Sequence, residues 1–118
     1  MLAVLAGHVQ ACPLSSAALR AGDVQLSWQV EGQAIGVGHM FALQAQVCPA
    51  TARLDRVDAA MPEHQHGMNY RPRLVDLGAG RWRAEGLMFH MAGRWELHFD
   101  VVEADGHPAR LRDSVTLP

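Results

Sequence analysis

From residue 24 onward the chain alternates apolar and polar side chains with period two, a spacing that commits it to half-buried β-strands. Val24, Leu26, Trp28 and Val30 alternate with Gln25, Ser27 and Gln29 up to a break at Glu31-Gly32-Gln33. Phe41, Leu43, Ala45 and Val47 repeat the pattern as far as Cys48-Pro49. Residues 54–60 predict a third strand, in which Val57 falls out of step with Leu54, so a bulge is expected. Residues 73–77 and 81–85 flank Gly78-Ala79-Gly80, a hairpin signal. Residues 87–91 read as a short apolar strand on which Met88 and His90 share one face, before Ala92-Gly93 turns the chain. Trp95, Leu97, Phe99 and Val101 alternate most clearly of all, with Glu96, His98 and Asp100 opposite and Trp95 expected in the core. Asp105-Gly106-His107-Pro108 then turns into a last strand carrying Leu111, Val115 and Leu117.

Only residues 15–21 permit a helical turn. About seven short strands with regular turns therefore predict an all-β, immunoglobulin-like antiparallel sandwich, with a small closed barrel as the competing answer. At 118 residues the chain supports one domain, because halving it would leave neither part enough core. Hydrophobic residues make up 49% and charged ones 19%, which excludes a disordered acidic or basic tail. All ten basic residues are Arg and oppose twelve acidic ones, leaving no basic footprint for nucleic acid. Arg71, Arg73, Arg81 and Arg83 surround Trp82, but Asp76 and Glu85 nearby favour a solvated strand face over an RNA platform. No apolar run approaches the roughly 20 residues that a spanning helix needs.

Residues 1–11 end in Val9-Gln10-Ala11 and resemble the remnant of a secretory signal peptide, although no positive charge precedes Arg20. The alternative is a short apolar strand or frayed terminus. The domain proper then spans residues 12–118, in a periplasmic or otherwise extracytoplasmic compartment. Cys12 and Cys48 are the only two cysteines and belong to no CxxC, so a single disulfide is expected, with two buried thiols as the alternative. His8, His98 and His107 are expected to be exposed or removed with the leader.

Met61-Pro62-Glu63-His64-Gln65-His66-Gly67-Met68 is the segment that folding least explains. Pro62 and Gly67 mark a loop, and His64 and His66 at i, i+2 point the same way if it is extended. Glu63 stands near enough in sequence to orient either ring. Met88, His90 and Met91 form a second cluster, and His39-Met40 stands at the start of another strand. Thioethers with imidazoles suit a copper ion, Cu(I) or Cu(II), better than zinc, magnesium or calcium. The plain alternative is that methionines fill gaps in the core and the histidines are solvated. No G-x-S-x-G or phosphate-cradling glycine loop indicates catalysis.

Three runs carry a family resemblance: the octapeptide at 61–68, GRWRAEGLMFHM at 80–91 and GRWEL at 93–97. They are similar to the YtkA-like domain family, over residues 20–118 and most strongly over 61–97. Ala92 stands where the family's pattern has Pro. The resemblance implies a small exported immunoglobulin-like domain associated with copper handling or cytochrome oxidase assembly. It implies Met61, His64, His66, Met68, His90 and Met91 as copper ligands, the set the residues themselves point to. The function expected is a copper carrier, chaperone or sensor, not an enzyme, that meets a copper-transfer or oxidase-assembly partner. The alternatives are a metal-free interaction module of a membrane-associated assembly and, further off, a small copper or zinc enzyme.

Overall fold

A computed structural model describes residues 12–118, so the leader expected at 1–11, with His8, lies outside the described residues. Nine strands appear among the described residues: β1 (Leu19–Ala21), β2 (Val24–Val30), β3 (Phe41–Cys48), β4 (Arg53–Met61), β5 (His66–Gly67), β6 (Arg73–Gly78), β7 (Arg81–Leu87), β8 (Gly93–Val102) and β9 (Pro108–Leu117). They form an antiparallel sheet ordered β1-β2-β3-β7-β6 and a second ordered β5-β4-β8-β9. With the short β1 and β5 set aside, the remaining seven have the A-B-E-D and C-F-G arrangement of an immunoglobulin sandwich.

Period two becomes burial on alternate residues. In β8, Trp95, Leu97, Phe99 and Val101 are buried while Glu96, His98 and Asp100 face outward. The inner faces of both sheets meet around Trp95, Phe89, Phe99, Leu26, Leu43 and Leu97, all fully buried. The Trp28 indole N–H donates to Asp113 Oδ2 at 2.8 Å and ties β2 to β9 across one open side. The register of β4 against β8 shifts between Leu54 and Arg56, which is the expected bulge.

Two expectations fail locally. Residues 15–21 form a turn closed by the Ala18 N–H and the Ser15 carbonyl, then enter β1, with no helix. Their apolar spacing serves pairing with β2 instead. Residues 88–90 are not a strand, because β7 ends at Leu87 and the chain must there cross to the other sheet. The β6–β7 hairpin forms as expected, with Gly78, Ala79 and Gly80 all at positive φ. Gly80 is obligatory there, since a Cβ would stand 2.6 Å from the Val47 carbonyl oxygen.

The connections β2–β3, β4–β5–β6 and β7–β8 gather at one end of the sandwich. The Cys12–Cys48 disulfide lies at the other end, with the Cα atoms 5.8 Å apart. In the chain-entropy picture, closing a loop of about 37 residues stabilises the fold by roughly 3–4 kcal/mol.

Candidate metal centre

The His/Met octapeptide is a hairpin built onto the end of β4. Pro62 takes the second position of a turn closed by the His64 N–H donating to the Met61 carbonyl at 3.2 Å, and Gln65 follows at φ 52°. The chain then returns antiparallel, pairing Met61 with His66 and Ala60 with Gly67, and the Met68 N–H donates to the Ala59 carbonyl at 3.0 Å. Directly paired residues share a face of the sheet, so His66 stands on the inward face beside Met61, at the exposed end of the core. Met68, two residues on, returns to that face and packs half-buried against the core. His64 sits in the turn itself, so the extended backbone on which a common direction of His64 and His66 depended is absent between them. The chain reverses between them, and alternation applies only within a strand.

Met61 continues the inward row of Val57 and Ala59 and is fully buried. A Cβ on Gly93 would stand 2.7 Å from its terminal methyl, so the thioether rests against bare backbone at the start of β8. Met61 is thus the floor of this region and belongs to the core cluster, whereas Met68 and Met91 lie half-buried at its rim.

The second cluster is held by aromatic packing. Phe89 stacks on Trp95 at 4.7 Å and 7°, and meets Phe41 edge-on at 5.1 Å. The Trp95 indole N–H donates to the Met91 carbonyl at 3.0 Å, which fixes the loop from below. His90 packs T-shaped against Trp95 at 5.4 Å and against His66 at 6.3 Å. The two clusters, 24 positions apart at His66 and His90, therefore meet in space.

His90 Nδ1 is buried without a hydrogen-bonding partner among the described residues. An unsatisfied buried group of this kind costs about 1–3 kcal/mol, and a ligand or ordered water is its usual explanation. Two imidazoles sharing one first-row ion at about 2 Å bring their centroids to roughly 5–6 Å, close to the 6.3 Å found here. Among the described residues no three His, Cys, Asp or Glu side chains group to hold an ion. An ion between these rings would therefore draw its further donors from the neighbouring thioethers, a soft set that fits copper.

Glu63 does not orient either imidazole. Its carboxylate pairs with Arg94 at 2.7 Å, and the guanidinium of Arg94 also donates to Ser114 Oγ at 3.1 Å. The hydrogen bond from Arg94 holds the Glu63 carboxyl below its ordinary value. The pair fastens the hairpin tip to the start of β8, a link that opposite charges 31 positions apart signalled only once the loops were known to adjoin. The Trp95 bond to Met91 had no sequence signature at all.

Most of the remaining candidates fall elsewhere. His98 lies half-buried on the outer face of the four-stranded sheet, bonded to Glu96 at 2.8 Å, and so is not the exposed ring expected. His107 is exposed in the β8–β9 turn at the disulfide end, paired with Asp105. Arg83 bridges Glu31 and Glu85, and Arg73 reaches Glu85 at 3.3 Å, so that hairpin presents a charge-paired outer face. His39-Met40 does join the His/Met end, since the Gly38 N–H donates to the Phe89 carbonyl at 2.8 Å. Comparison with protein-family models, characterised proteins and solved structures finds no match to this chain.

Proposed function

We propose that this sandwich is an extracytoplasmic copper-binding protein of the YtkA-like kind, a carrier, chaperone or sensor that takes and releases a copper ion at its loop end. The observation that carries the reading is the meeting of His66 and His90 from separate loops at 6.3 Å, with His90 Nδ1 buried and unpartnered among the described residues. His66 and His90 supply imidazole donors for either oxidation state, and Met68 and Met91 supply rim thioethers that favour Cu(I). Met61 backs the site from the core, and His64 stands in the adjoining turn. Bound there, copper is cargo held by exchangeable donors, and weak thioethers let it pass to a transfer or oxidase-assembly partner. The disulfide supports an oxidising compartment.

Competition for Cu(I) against a chromophoric chelator tests the proposal on the wild type and on His66→Ala/His90→Ala. Sub-micromolar binding by the wild type, lost in the variant, is the expected result. The burial of Met61 as core filler favours a second reading, a metal-free interaction module. A wild type that takes up neither Cu(I) nor Cu(II) selects that second reading.

A further inference from the structure

At the same end of the sandwich, the β2–β3 connection opens a groove of about 350 Å³ whose wall includes Glu31, Gly36, His39, Met40 and Phe41. His39 and Met40 are neighbours in sequence, yet they are outside any strand and both line this one groove. The His39 ring lies over Gly36, where a Cβ would stand 3.3 Å from Nδ1, so the missing side chain makes room for the imidazole. Met40 is 56% exposed, the most exposed large apolar side chain among the described residues. Core packing therefore does not explain this thioether. Glu31 is already committed, accepting from Gln44 at 3.0 Å and from Arg83 at 2.8 Å. The soft donors left to the groove are the His39 imidazole and the Met40 sulfur.

The groove is fastened to the candidate centre by backbone. The Gly38 N–H donates to the Phe89 carbonyl at 2.8 Å, and the antiparallel pairing of Phe41 with Leu87 carries segment 38–40 back alongside residues 88–90. Phe41, which follows Met40, packs edge-on against Phe89. His39 and His90 thus each stand one residue from this anchor, and Met40 and Met91 two.

We propose that His39 and Met40 form an outer Cu(I) subsite through which the ion reaches and leaves the inner His66/His90 site. The inference rests on the copper-binding reading above and adds a route to it. Two exposed donors hold a monovalent soft ion weakly, and they engage it before the inner donors have let go. The transfer is ligand exchange alone: copper stays Cu(I), and each new nitrogen or sulfur bond replaces one that breaks.

Anaerobic Cu(I) titration against two chelators of different strength tests this on wild type, His39→Ala/Met40→Leu and His66→Ala/His90→Ala, with thermal melts reporting folding. Wild type is expected to bind two ions of unequal affinity. The outer variant should keep the tighter ion, lose the weaker one and surrender copper to the chelator about tenfold more slowly. The inner variant should keep only the weaker ion. One tight ion in wild type, with its affinity and release rate unchanged in the outer variant, overturns the outer subsite and leaves the inner one standing. Loss of both ions in the inner variant overturns it too, because the outer pair would then have no affinity of its own. A wild type that binds no Cu(I) overturns both readings together.

Discussion

At the scale of single residues, Trp95 does more than fill the core. Its ring stacks on Phe89, packs against His90 and donates to the Met91 carbonyl, so one side chain locates two candidate donors. Trp95→Phe preserves the stack and removes the N–H. Urea unfolding should show a loss of about 2–4 kcal/mol, from the missing hydrogen bond and the space left by the smaller ring, and copper affinity should fall while the far-ultraviolet spectrum stays that of the wild type. The burial of Trp95 was legible in its alternation with Leu97 and Phe99. Its bond to Met91 was not, because nothing local in GRWEL records which loop will lie beneath the indole. Met61 shows the same limit. Its parity with Val57 and Ala59 pointed inward, while the composition of its octapeptide pointed to a ligand, and burial at the end of β4 decided between floor and rim.

Among the elements, β8 and β9 make the longest antiparallel pair, ten residues on each side. Asp100 and Arg110 are directly paired and joined by two hydrogen bonds, at 2.6 and 3.1 Å. Hydrogen bonding from Arg110 holds the Asp100 carboxyl below its ordinary value. A depressed folded value means that the stabilisation is present above the unfolded value, near 3.9, and is lost as pH falls through the lower folded value. Glu31, Glu63 and Asp105 shift in the same direction. The urea midpoint should therefore decline below about pH 4, and Asp100→Asn should flatten part of that decline. His107 acts oppositely, since Asp105 raises it and its contribution is lost as pH rises through that raised value. The β6–β7 hairpin supplies a sharper test. Gly80→Ala forces a side chain into positive φ against the Val47 carbonyl and should cost at least 1–3 kcal/mol, read as a lowered melting temperature. Hairpin and bulge were both legible, because glycine spacing and broken parity are local. The strand expected at 87–91 failed because a short apolar run looks alike in a strand and in a buried crossover.

For the whole molecule, the sandwich separates its two chemistries. The disulfide closes one end and the His/Met loops occupy the other. Replacing both Cys12 and Cys48 by Ser should lower stability by roughly 3–4 kcal/mol without changing copper affinity, a pairing of outcomes that calorimetry and chelator competition check together. A large change in affinity would mean that the two ends communicate. By itself the sequence determined which side chains face inward, since period two sorts the faces of any strand whatever its partner. It also determined the all-β class, because so many half-buried strands must cover one another, while the structure chose two packed sheets over a closed barrel. Only the tertiary structure decided that residues 36–40, 61–68 and 88–91 converge, that His66 finds His90, and that Glu63 finds Arg94. Those meetings depend on strand order and register, which are set by contacts between distant segments and leave no periodic mark in any one of them.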